Sequence, residues 1–228
     1  MAARITWSLL TAMLLLGTMP NASLASTSET TAAQKTEDLL YIREEEKLAR
    51  DIYLMLHEKW SGGIFSNIAN SEQQHMDAML RLLRKFKLAD PAAGKTIGEF
   101  TNDQLQDLYD TLLKLGLATR LAALKVGGII EETDIRDLAR AIDDSQLSSI
   151  DKVYSRLLCG SRNHLRAFAR NIQRVTGEAY VAQVLTQDEV DSILGGETES
   201  CGRTASRGGP GAQGVGRSQG QGGLQPTN

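Results

Sequence analysis

Between residues 36 and 190 apolar side chains recur every three or four positions in four long runs, and no run alternates them every second residue. That spacing is the helical period, and strands would need the shorter one. Proline and glycine are scarce inside the runs, so nothing breaks them. The pattern predicts long helices over about 36–60, 66–86, 119–142 and 149–176, a shorter one over about 102–115, and a last one from Thr186 to Gly195. Ser61-Gly62-Gly63 closes the first run and Gly116 the short one. Thr186 and Glu189 have the spacing of a capping box.

The connections are unequal. Short loops join the first long helix to the second and the third to the fourth, so each pair is expected to form an antiparallel hairpin. Residues 87–118, with the short helix inside them, separate the two hairpins. One long crossover of this kind is the connectivity of an all-α, ferritin-like four-helix bundle.

Each long run carries residues that do not belong in an oily core. The first stripe reads Leu39, Ile42, Glu46, Ala49, Tyr53, Leu56; the second Ile68, Glu72, His75, Met79, Leu82, Phe86. The third reads Leu121, Leu124, Gly128, Glu131, Ile135, Leu138, and the fourth Val153, Leu157, Ser161, His164, Phe168, Ile172. Glu72 and His75 are three apart, so their side chains share one helical face. Carboxylates and imidazoles aimed at a core are costly unless something neutralises them. Metal is the usual remedy where several converge, and oxygen and imidazole donors suit iron or manganese. The candidate ligands are Glu46, Glu72, His75, Glu131, Asp134 and His164. Asp134 shares the face of Glu131, and Glu132 remains an alternative on the same helix. Glu44 and Glu45, inside an acidic run, are expected on a solvated face. His57, between Leu56 and Glu58, is expected at the surface.

The chain ends set the context. Arg4, the mainly apolar run from Ile5 to Met19, and Ser23-Leu24-Ala25 have the form of a signal peptide over residues 1–25. The run is short for a membrane span. The expectation is an exported protein, periplasmic or extracellular, with no stable membrane span after cleavage. Residues 36–194 make one domain. Residues 195–228 are rich in glycine and nearly free of large apolar side chains, so they are expected to be a disordered tail. A formal net charge of −3 gives no sign of a specific nucleic-acid partner. Cys159 falls in a predicted helix and Cys201 in the tail, so a bridge between them would require the tail to fold back; two unbridged cysteines are the expectation.

Glu46-Lys47-Leu48-Ala49-Arg50-Asp51-Ile52-Tyr53 resembles the first helix of rubrerythrin-type ferritin-like proteins, Glu-x-x-Ala-Arg-x-x-Tyr, whose glutamate is a metal ligand. The resemblance implies that role for Glu46, and Glu72 with His75 match the Glu-x-x-His of the second helix. Five stretches are similar to the family known as domain of unknown function 2202, classed as ferritin-like. They are Glu44–Ala49, Phe65–Ala69, Ser71–Met76, Glu131–Ile135 and Ser161–Phe168. Rubrerythrin-type proteins carry a second Glu-x-x-His on the fourth helix. Here Ser161 stands three residues before His164, so a single-metal or asymmetric site is expected unless Asp134 or Glu132 supplies the carboxylate. Two cysteines cannot build a rubredoxin-like iron domain, so electrons would come from another source.

The function these features suggest is an exported ferritin-like metal-binding protein, an iron or peroxide oxidoreductase with a di-iron or single-metal centre, manganese being the alternative metal. Its partners would be the metal ion with oxygen or peroxide, and a dimer is left open. The competing reading is a non-catalytic exported helical bundle that serves as a binding or structural module.

Overall fold

The computed structural model describes residues 22–61, 63–145 and 147–201, with side chains from residue 32 onward. The proposed leader, apart from residues 22–25, and the tail beyond Cys201 lie outside the described residues. Six helices follow one another: α1 (Ala22–Trp60), α2 (Gly63–Lys85), α3 (Asp103–Gly116), α4 (Arg120–Ser145), α5 (Ser148–Thr176) and α6 (Gln187–Gly195). There is no strand among the described residues, and the architecture is an all-α helical bundle.

Local chemistry sets several helix ends. Asn102 caps α3, its side chain accepting from the N–H groups of Gln104 and Leu105. Gly177 ends α5 in the left-handed region, at φ 78°, where a residue without Cβ fits at no steric cost. Thr186 and Glu189 form the expected capping box of α6. α1 starts well before residue 36. Residues 22–35 contain neither proline nor glycine to stop a helix, but they also have no apolar stripe to announce one.

α1 packs on α2 and α4 on α5, and the two hairpins meet through α1 against α4 and α2 against α5. Two apolar clusters fill the interior. One gathers Ile52, Tyr53, Phe65, Leu124, Leu165 and Phe168 with residues of α3 and α6. The other gathers Leu39, Ile42, Met79, Leu82, Leu138, Tyr154 and Leu157. A buried polar layer lies between them on every long helix: Glu45 and Glu46, Glu72 and His75, Glu131 and Asp134, Ser161 and His164. α1 and α5 meet the second cluster first and the first cluster last, while α2 and α4 meet them in reverse. Neighbouring helices therefore run antiparallel, and the crossover through α3 is what lets α4 run the same way as α2.

The crossover also covers a flank of α1 that its own sequence marks as polar. Glu44 and Glu45, expected in solvent, are buried. The Glu44 carboxylate accepts from the backbone N–H groups of Thr101 and Asn102 at 2.6 and 3.0 Å. Lys47 donates to the Thr96 carbonyl, and Arg43 grips Asp90 through two nitrogens. Glu45 faces Asp134 and Asp137 of α4. These contacts come from segments distant in sequence, which is why the acidic run alone suggested exposure. His57 is exposed, as expected.

The start of the expected tail is corrected as well. Cys159 and Cys201 are joined by a disulfide. Glu199 pairs with Arg162 and with Arg166, and its backbone N–H donates to Asn163. The segment 196–201 is thus strapped to α5.

Candidate metal centre

Glu46, Glu72, His75, Glu131 and His164 come from four helices and converge in the polar layer. They form two overlapping triads, Glu46–Glu72–His75 and Glu72–Glu131–His164, in each of which one donor atom per residue lies within 4.8 Å of the others. Glu72 is common to both, and its two oxygens divide between them. Oε2 lies 2.7 Å from His75 Nδ1, and Oε1 lies 2.7 Å from His164 Nδ1. The outer carboxylates close each triad: Glu46 Oε2 is 3.1 Å from His75 Nδ1, and Glu131 Oε2 is 3.3 Å from His164 Nδ1. The two imidazoles stack with ring centroids 5.7 Å apart.

The layer is incompletely hydrogen-bonded. His164 Nδ1 and Glu72 Oε1 are close, yet neither has a partner in hydrogen-bond alignment; Glu46 Oε1, Asp134 Oδ1 and both Glu45 oxygens also lack one. A buried polar atom left so costs roughly 1–3 kcal/mol. Three of these atoms belong to triad residues, Glu46, Glu72 and His164, whose donor atoms lie within 4.8 Å of one another, a spacing that suits a shared cation.

Charge tells the same story. Burial pushes the Glu46 carboxyl up, to about 8, against the pull of His75. Burial and then the carboxylates of Glu46 and Glu131 push Asp134 up. Burial and then Asp134 and Asp137 do so for Glu45. Burial would raise Glu72 too, but the two imidazolium groups beside it outweigh that and hold it well below the usual carboxylate range. Burial disfavours the charged histidines, yet their carboxylate neighbours prevail, raising His75 and taking His164 to about 10. Without a cation these shifts favour the protonated forms of both imidazoles and of Glu45, Glu46 and Asp134.

On α4 the structure separates the three candidates. Glu131 joins the site and is held by the Tyr53 hydroxyl, which donates to its Oε1 at 2.5 Å. Glu132 does not: it turns toward the loop before α6, accepting from the Tyr180 hydroxyl and the N–H groups of Gln183, Val184 and Leu185. Asp134 stands beside the triads, with one oxygen taking the Ser161 hydroxyl's hydrogen bond and the other unpartnered. It occupies the flank where Ser161 fails to provide a carboxylate.

Two residues at the site escaped the sequence reading. Ser71 meets His164 Nε2 at 3.0 Å. Gly160 lies so close to His75 that an added Cβ would sit 2.6 Å from Nε2. A glycine inside an unbroken helix, four residues before a candidate ligand, is the signal that marks such a close approach.

Fold and site together define a helical bundle with a buried carboxylate–histidine layer. Residues 35–197 match the family model described as uncharacterized protein domain (DUF2202), and the chain belongs to that family. It is 44% identical over 166 residues to the uncharacterized protein MJ0754 of Methanocaldococcus jannaschii, covering 73% of this chain and 89% of that protein. The crystal structure of the hypothetical protein MJ0754 from Methanococcus jannaschii superposes with a TM-score of 0.70, covering 72% of this chain and 93% of that one.

Proposed function

We propose that this chain is an exported, ferritin-like metal-binding protein whose bundle core would hold two transition-metal ions, iron or manganese, among its carboxylates and imidazoles. The observation that carries the reading is the division of Glu72 between two triads, one oxygen to each. Glu46 and His75 would complete one position, Glu131 and His164 the other, and Asp134 would add charge beside them. The donor set fits: carboxylate and imidazole without thiolate suits iron or manganese. The unpartnered atoms of the triad residues, Glu46 Oε1, Glu72 Oε1 and His164 Nδ1, fit as well, because a cation held there would give them a partner. A purely structural polar network would be expected to have its hydrogen bonds made.

When bound, iron supplies electron exchange with dioxygen, peroxide or a further ferrous ion, and we infer that the protein is an oxidoreductase of that class. The chain's own residues prepare the place. Both Nδ1 atoms are turned to the carboxylates, Tyr53 fixes Glu131, and the two apolar clusters exclude water above and below. Export rests on Arg4, the apolar run and Ser23-Leu24-Ala25, and is supported by the Cys159–Cys201 disulfide, a bond that persists in oxidising compartments.

The test is metal content. Protein isolated from its native compartment should carry iron or manganese, and metal-free chain titrated anaerobically with ferrous ion should take up two equivalents. Glu72→Ala should abolish both, and Glu46→Ala or Glu131→Ala one each. Absence of tight binding in the unaltered chain would sink the reading. The expected mature N-terminus at Ser26 is checked by sequencing the exported material.

A further inference from the structure

A cavity of about 350 Å³ borders the two imidazoles and has three sides. α2 gives Ser71 and His75, and α5 gives Gly160 and His164. The third side belongs to neither helix: it is Glu199 and Cys201, from the segment that follows α6. Gly160 keeps the cavity open beside His75, since an added Cβ would sit 2.6 Å from Nε2. The side chains of His75 and His164 are only 10% and 12% exposed. Of the three sides, the segment alone is not part of a packed helix.

Little besides the disulfide holds that segment. Residues 196–200 read Gly-Glu-Thr-Glu-Ser and have no apolar side chain to bury. Their noncovalent ties centre on Glu199. Arg162 and Arg166 hold its carboxylate, and Asn163 accepts from its N–H and donates to its carbonyl. The Glu199 side chain is 29% exposed. Partly exposed ion pairs return little, less than ordering the backbone of several residues costs. The Cys159–Cys201 bond is therefore what seats the strap. That bond can be approached from solvent, because both cysteines line a second, open groove of about 630 Å³. Lys152, Arg156 and Arg162 line it with them. Cations beside a sulfur stabilise the thiolate that leaves when the bond is cut.

We propose that residues 196–201 are a redox-released strap. With the disulfide made, it closes the third side of the cavity beside His75 and His164; a dithiol reductant arriving through the groove opens it. The reductant's thiolate attacks Sγ of Cys201, the more exposed of the two cysteines. The S–S bond breaks, and Cys159 leaves as a thiolate that takes up a proton. The reductant's second thiol then displaces Cys201. Two electrons and two protons pass to the cysteines, and the reductant becomes the disulfide. Opening would speed the exchange of metal and small oxidants with the polar layer. That consequence rests on the metal reading; the strap does not.

The experiment treats the metal-free full chain with diethyl pyrocarbonate, which acylates accessible imidazole. Mass spectrometry follows His75 and His164 with the bond intact and after reduction. Both should react slowly in the oxidised chain and roughly tenfold or more faster once it is reduced, as a local opening requires. His57, exposed in the folded chain, is the reference and should not change. Cys201→Ser should match the reduced chain, with no further effect of reductant. Hydrogen exchange of the α4 backbone amides should stay as it was, which separates release of the strap from opening of the bundle. Equal histidine rates in the two states, or α4 exchange that rises together with histidine modification, would overturn the proposal. A chain whose histidine reactivity follows the bond but which takes up neither iron nor manganese would refute the metal reading and leave the strap standing.

Discussion

Glu131 and Glu132 are consecutive on α4 and equally buried, yet one carboxylate joins the polar layer while the other ties down the loop before α6. One residue turns a helix by roughly 100°, enough to send two adjacent side chains to different elements. Their substitutions should therefore separate. Glu132→Gln sets an amide N–H2 against backbone N–H donors, at a cost of about 2–4 kcal/mol, and should lower Tm without changing metal uptake. Glu131→Gln should reduce metal uptake and affect stability less. Thermal melts beside metal titrations of the two variants decide, and loss of metal in both would remove the distinction.

Metal-free chain should lose stability as pH rises from about 6 to 9, unlike an ordinary acid-labile domain. His75 and His164 are held above 6.5, His164 at about 10, so the folded chain binds more protons than the unfolded one across that interval. Glu46, held at about 8 by burial, adds the same sign between 4.5 and 8. Glu72, held low, contributes stability that is lost only in acid. Bound metal displaces these protons, so the loaded chain should show a weaker fall. Tm measured across this range with and without chelator tests it; a metal-free Tm that climbs with pH contradicts the charge picture.

The converging set was legible because each member breaks an apolar stripe at helical spacing. Glu46, Glu72, His75, Glu131 and His164 could be placed on one interior from periodicity alone. What periodicity could not reach depends on other segments. Glu44 is buried by Thr101 and Asn102, more than fifty positions away, and Glu45 by residues of α4. The Cys159–Cys201 bridge spans 42 positions, with only composition to suggest where the chain between them would go. The division of Glu72 between two histidines is a matter of rotamers and helix register, which a stripe does not specify.

Ser161 is fully buried and donates to Asp134 where a fourth-helix carboxylate would stand. Ser161→Glu should add a ligand and raise metal affinity. It also places another acid among Glu46, Glu131 and Asp134, so metal-free chain should be destabilised by about 3–5 kcal/mol, as an uncompensated buried charge requires. The two effects predict a larger metal-dependent rise in Tm than the unaltered chain shows. Equal destabilisation with and without metal would mean that position 161 does not reach the ions.

The strap from Gly196 to Cys201 should matter to stability, while the chain after it should not. The Cys159–Cys201 bond closes a 42-residue separation, for which loop-closure entropy sets a ceiling of about 4 kcal/mol and typical bridges yield about 2–4. Glu199 adds ion pairs to Arg162 and Arg166 that keep the strap seated once the bond has formed. Cys201→Ser, or full reduction, should therefore lower Tm by several degrees. Ending the chain after Cys201 should leave Tm nearly unchanged, because the residues beyond contain almost no large apolar side chains to bury. Ending it after Gly195 should match the reduced protein or fall below it, since both the bond and the Glu199 contacts go. An unchanged Tm on reduction would show that the bridge fastens the strap without supporting the bundle.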